Sequence, residues 1–114
     1  MTDIVLRRLG AADAAAYRAL RLAGLAESPE AFGSDVATEA AAPVETFAER
    51  LATVYVAGAF AGGQLVAVAG FRPLEREKTR HRGDLWGVYV APEARGAGLG
   101  RRVGEYARAH ARTR

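Results

Sequence analysis

The sequence predicts an α+β domain: a mostly antiparallel four-stranded sheet, two helices ahead of its central hairpin, and one helix after its last strand. Three observations predict it. Apolar residues recur at helical spacing in three stretches, the mark of amphipathic helices. Two β-branched and aromatic runs flank Gly62-Gly63, the composition of a tight hairpin turn. A glycine-rich turn over 95–100 separates the last strand from the last helix. At 114 residues the chain has room for one domain, and residues 1–114 are expected to form it.

The elements follow in order. Ile4 to Leu9 reads as an opening strand that Gly10 ends. Asp13 stands where a helix N-cap belongs, its carboxylate able to accept an orphan backbone N–H. Ala16, Leu20 and Ala23, widened by Tyr17 and Leu25, form the apolar stripe of the first helix and place Arg18 and Arg21 outward. Ser28-Pro29 interrupts it, because the residue before a proline avoids the helical region. The alanine- and acid-rich stretch up to Ala42 is assigned to no element. Pro43 opens a second helix, where its missing N–H is not needed. Val44, Phe47, Ala48 and Leu51 make that helix's inner face.

Val54 to Phe60 and Leu65 to Phe71 are the hairpin strands. The second is apolar on both faces, so it is expected to lie centrally with helices on each side. Pro73 to Arg82 is too charged for a core and reads as a loop. Asp84 to Ala91 is a fourth strand, ended by Pro92. Leu99, Val103, Ala107 and His110 then share one face of the last helix, with His110 expected to be packed there.

Composition removes several chemistries. There is no cysteine, which excludes disulfides, thiolate metal sites and cysteine nucleophiles. Two histidines far apart, His81 and His110, make no zinc site, and no metal is expected. The start has an acid at position three and only a short apolar run, so neither a signal peptide nor a membrane span is expected, and the cytoplasm is the expected compartment. The net charge is +3. Its basic end is concentrated: residues 95–114 hold arginines 95, 101, 102, 108, 112 and 114 against one acid, Glu105. Such an end wants a polyanion, either a phosphate-bearing cofactor or a nucleic acid. The near-balanced remainder and the lack of surface aromatics among those arginines argue against nucleic acid.

The turn at Arg95, Gly96, Ala97, Gly98, Leu99 and Gly100 narrows the choice. A Walker loop would continue with Gly-Lys-Ser/Thr, but Arg101 and Arg102 follow. A dinucleotide fingerprint needs a third glycine where Arg101 stands. What remains is R/Q-x-x-G-x-G/A, met by Arg95, Gly98 and Gly100 between a strand and a helix. Glycines there let the backbone approach an anion, successive N–H groups make a concave nest, and the following helix aims its positive end at the same point. Arginines 95, 101 and 102 are expected to add charge at the rim.

On residues 85–102, from Leu85 and Trp86 through Pro92 and Arg95 to Arg102, the sequence resembles the GNAT superfamily of acyl-CoA-dependent N-acetyltransferases. The run looks like that family's fourth strand, phosphate loop and third helix, and residues 4–112 can be placed on its element order, a three-layer α/β/α arrangement. The resemblance implies acetyl-CoA as cosubstrate, with no metal. It implies that backbone groups at Val88, Tyr89 and Val90 pair with the pantetheine arm, and that N–H groups of Gly96, Ala97, Gly98, Leu99, Gly100 and Arg101 hold the pyrophosphate beside Arg95. An amine acceptor would attack the thioester carbonyl directly, a strand N–H stabilising the oxyanion.

The sequence also departs from the family. The resemblance implies a fifth strand splaying from the fourth, a fourth helix, two further strands, and a tyrosine acid; none has a counterpart here. Neither Tyr89 nor Tyr106 matches the position of the acid, and the catalytic residues are left open. The chain is expected to be a truncated domain, an active acetyltransferase or a catalytically inactive remnant that binds CoA or a protein partner. An unpaired fourth strand would be an apolar edge, so a homodimer covering it is expected. Asp84 and Glu75 are the candidates for a general base. Each reads first as a solvated loop charge, and His81 as an exposed loop residue. Trp86 and Tyr89 either line an acceptor pocket or pack. Arg108, Arg112 and Arg114 lie too far along the helix for the pyrophosphate.

Overall fold

The computed structural model describes residues 3–27, 36–73 and 83–111. Strand β1 (Ile4–Arg8) leads through a 3-10 turn (Ala11–Asp13) into α1 (Ala14–Glu27). Two further helices, α2 (Val36–Ala41) and α3 (Val44–Thr53), precede β2 (Tyr55–Ala61), β3 (Gln64–Pro73) and β4 (Gly83–Val90). A 3-10 turn (Pro92–Ala94) then leads to α4 (Leu99–Ala111). The four strands form one antiparallel sheet in the order β1-β2-β3-β4.

The hairpin forms where the glycines require it. Gly62 and Gly63 have φ of 59° and 85°, the left-handed pair of a two-residue turn, and Ala61 pairs with Gln64 across it. Every residue from Leu65 to Phe71 is buried, because helices cover both faces of β3. On one face Tyr17, Phe47 and Leu51 of α1 and α3 pack against Val56, Val68 and Tyr89. On the other, Leu99, Val103 and Ala107 of α4 pack against Ala57, Val66, Ala69 and Phe71. The result is three layers, helices on either side of the sheet, with β4 at one edge.

Several local expectations are corrected. Ahead of the hairpin the sequence predicts two helices, which are α1 and α3; α2, in the stretch assigned to no element, is an additional short one. Asp13 does not cap the helix from outside: it sits at the third position of the first turn, and its Oδ2 reaches back 2.8 Å to accept the Gly10 N–H. Ala16 and Ala23 are exposed, while Tyr17, Arg21, Gly24 and Leu25 form the buried stripe of α1. Arg21, expected outward, is 7% exposed. It lies one turn beyond Tyr17 on the inner face, and burial is tolerated because Glu39 of α2 meets it at 2.9 Å. Arg50 of α3 reaches the same Glu39 oxygen at 3.3 Å, so one carboxylate ties three helices together. Val44 is exposed at 41%. His110 is exposed as well: the buried stripe of α4 ends at Ala107, and the imidazole instead stacks on Tyr106 one turn back, centroids 3.9 Å apart.

Candidate functional site

Strand β4 is not regular. Val68 pairs with Tyr89 and Gly70 with Trp86, so Gly87 and Val88 together stand opposite Ala69. This is a β-bulge, and Gly87 takes the φ of 59° that it needs. The extra residue resets the alternation of side chains. Trp86 and Tyr89, three apart, both join the core beneath α1 and α3, whereas strict alternation would put them on opposite faces. Val88 stays 40% exposed, and Val90 is half-buried toward α4. Among the described residues no strand pairs with the outer edge of β4.

From Val90 the chain turns into the glycine-rich loop. Ala94 N–H donates to Ala91 O at 2.9 Å, and Arg95 N–H to Pro92 O at 3.3 Å. Gly96 and Gly98 have φ of 96° and 71°. Nothing lies within 4 Å of where a Cβ would project from either, so glycine serves the backbone twist and the space beside it is open. The first helical bond of α4 is Arg102 N–H to Gly98 O, 3.0 Å. The N–H groups of Gly98, Leu99, Gly100 and Arg101 therefore form the first turn, which has no carbonyl one turn back. Leu99 is buried, and residues 95–98 are exposed. A Cβ on Gly100 would stand 3.3 Å from Val90 Cγ2, so the helix start lies close against the end of β4. Exposed twisted backbone, a ring of N–H groups and the positive end of a helix suit an anion such as a pyrophosphate.

The rim charges differ from the sequence expectation. Arg95 does not project freely: its Nε donates to Val90 O at 3.0 Å, and its Nη2 to Glu27 Oε1 at 2.8 Å. Its guanidinium also lies 5.5 Å over the Tyr89 ring. The Tyr89 hydroxyl donates to the same Glu27 oxygen at 2.8 Å. The Arg95 bond, seconded by that of Tyr89, holds the Glu27 carboxyl below the usual carboxylate range. Burial, seconded by Glu27, raises the Tyr89 phenol. Arg101 pairs with Glu105 at 3.2 Å. Arg102 and Arg108 form no ion pair with a described residue.

Glu27 is the residue at this site that the sequence reading missed. It closes α1, and nothing local points to Arg95, 68 positions on. Among the base candidates, Asp84 is the second residue of β4, in register with Arg72; Glu75 and His81 lie outside the described residues, as do Arg112 and Arg114. Trp86 packs, its indole lying against Gly70 and 5.8 Å from the Arg21 guanidinium. Tyr106 is half-buried on α4 beneath His110.

An antiparallel sheet between helices, with a bulged strand feeding a glycine-rich loop and a helix start, is the architecture of the GNAT-type acetyltransferases. The model of the acetyltransferase (GNAT) family matches residues 22–114, and the chain belongs to that family. Solved structures agree in fold. A GNAT-family acetyltransferase from Streptococcus pneumoniae superposes with a TM-score of 0.73 at 23% identity, over 97% of this chain and 70% of that one. A ribosomal-protein-alanine N-acetyltransferase from Brucella melitensis gives 0.72 at 26% identity, over 96% and 67%. The PaiA N-acetyltransferase from Thermoplasma acidophilum, solved with coenzyme A, gives 0.68 at 17% identity, over 92% and 69%. No curated protein matches the chain.

Proposed function

We propose that residues 1–114 act as one domain that binds acetyl-CoA and transfers its acetyl group to a primary amine. The observation that carries this is the loop from Arg95 to Arg101: two left-handed glycines and the first N–H groups of α4, open to solvent beside the end of a bulged strand. Membership of the family supports the reaction type, and the coenzyme A held by the Thermoplasma protein supports the ligand.

In this reading N–H groups of Gly96, Ala97, Gly98, Leu99, Gly100 and Arg101 hold the pyrophosphate. Backbone groups of Val88, Tyr89 and Val90 orient the pantetheine arm. The acetyl-CoA thioester supplies the electrophilic carbonyl. The bulge at Gly87 and Val88 breaks the ladder with β3, which turns backbone polar groups out of the pairing pattern, where a preorganised N–H can meet developing negative charge. The acceptor, once its ammonium proton has passed to a base, adds through nitrogen to the carbonyl carbon to give the oxyanion. Its collapse breaks the carbon–sulfur bond and releases CoA thiolate, which takes up a proton.

A second reading, binding of CoA or a protein partner without turnover, is favoured by one observation. The Tyr89 hydroxyl proton is engaged by Glu27, and Tyr106 sits on α4 under His110, so neither stands ready to protonate a leaving thiolate. A second copy of the chain covering the outer edge of β4 belongs to both readings, and light scattering reads it directly. No described helix is long and apolar enough to cross a membrane, and a cytoplasmic setting is part of the proposal.

Calorimetric titration with acetyl-CoA tests the first reading, with a Gly98→Glu variant and a desphospho analogue as controls. Saturable binding that both controls lose, with release of CoA thiol in the presence of an amine, supports transfer. Binding with no thiol released by any amine in a broad panel leaves the second reading. A folded chain that binds no acetyl-CoA overturns the cofactor assignment.

A further inference from the structure

Residues 96–98 are held by little of their own backbone. The hydrogen bonds before them end with Arg95 N–H on Pro92 O, and those after them resume with Arg102 N–H on Gly98 O. What fastens the loop's first half is the Arg95 side chain. Its guanidinium is fixed at three points: the Val90 carbonyl, the Tyr89 ring face and the Glu27 carboxylate. Of these, Glu27 is the anion. Being the last residue of α1, it brings in an element that otherwise does not touch the loop through a charge. A planar guanidinium held by a carboxylate and a carbonyl at once has little freedom left.

We propose that Glu27 is a positioning residue: by holding Arg95 against the end of β4, it sets the backbone of residues 96–98 to receive an anion. The proposal rests on the reading of this loop as the pyrophosphate site. In it Arg95 is a tether for the loop and the N–H groups are the phosphate ligands. The competing role, Arg95 as a direct phosphate ligand, predicts the opposite response, since removing Glu27 would release a cation toward the phosphate.

Two readouts on Glu27→Gln, Arg95→Gln and the double variant decide it. Glu27 is substantially exposed, 41% by side chain, so the amide is accommodated without repacking. The first readout needs no ligand: hydrogen exchange of the two hydrogen-bonded amides that bracket the loop, Arg95 on Pro92 O and Arg102 on Gly98 O. Glu27→Gln is expected to speed it about two- to fivefold, the scale of an exposed ion pair. The second is affinity for acetyl-CoA, expected to weaken by a similar factor. Glu27→Gln should change neither quantity when Arg95 is already Gln, because Glu27 acts through it.

Unchanged exchange, tighter binding, or an effect that persists without Arg95 overturns the proposal. Faster exchange in the variant, when even the wild-type chain ignores acetyl-CoA, upholds the tether and sinks the pyrophosphate reading instead. A Tyr89→Phe variant, which removes the phenol donor but leaves the Arg95 pair, is expected to move exchange less than Glu27→Gln.

Discussion

Trp86 on β4 lies flat across Gly70 on β3, its register partner. A Cβ built on Gly70 would stand 2.6 Å from the indole Cδ2 and closer still to Cε2. The glycine is there for space, since its φ is not left-handed.

Gly70→Ala is therefore expected to force the indole off the sheet and cost about 1–3 kcal/mol, the range for overpacking a filled site. Urea unfolding measures it. Trp86 is the single tryptophan, so a shift of its emission reports the displaced ring in the same titration. An alanine variant as stable as wild type, with unchanged emission, would show that the ring has room to give.

Gly98 presents the opposite case. A methyl there meets nothing within 4 Å, but φ is 71°. Gly98→Ala should cost about 1–2 kcal/mol from the left-handed backbone alone. Gly100, without a left-handed φ, meets Val90 Cγ2 at 3.3 Å and Val88 Cγ1 at an ordinary 3.9 Å, so Gly100→Ala should cost less. Thermal unfolding of the two variants side by side checks the order, and the reverse ranking would contradict the loop geometry.

Glu39 is 8% exposed and holds both Arg21 and Arg50. Glu39→Ala leaves the Arg21 guanidinium buried beside Arg50 with that carboxylate gone. A loss of about 3–5 kcal/mol is expected, as when one partner of a buried pair is removed. Replacing both partners, Arg21→Met with Glu39→Leu, should recover most of it. If the double variant is no better than the single one, the loss lies in the packing of α2.

Asp13 carries a pH prediction. The Arg7 guanidinium, 2.9 Å away, and the Gly10 N–H hold its carboxyl below the ordinary range, against a smaller opposing effect of burial. The folded value lies below the unfolded one, so the contribution is present above about pH 4 and is lost as pH falls through the depressed folded value. Arg7 is about half exposed by side chain, 47%, which limits the contribution to about 1 kcal/mol or less. Asp13→Asn should flatten that part of the acid limb in denaturant titrations while the rest of the profile stays. An unaltered acid limb would mean that the pair does not persist in solution.

The sequence by itself determined what is local. Gly62 and Gly63 specify the hairpin because a two-residue turn needs left-handed φ at both positions. Apolarity on both faces placed β3 at the centre, since only a strand covered twice can carry it. Glycines 96, 98 and 100, read between a strand and a helix, located the turn, because the left-handed φ at 96 and 98 is one that glycine adopts readily. The tertiary structure decided what depends on partners distant in sequence. Arg21 could turn inward because Glu39 arrives from α2. Trp86 and Tyr89 share a face because a bulge at Gly87 adds a residue that composition does not announce. Arg95 became a tether because α1 happens to end in a carboxylate within 2.8 Å of it. Periodicity and turn chemistry are properties of a few adjacent residues; a charge finds its partner only once the helices have docked on the sheet.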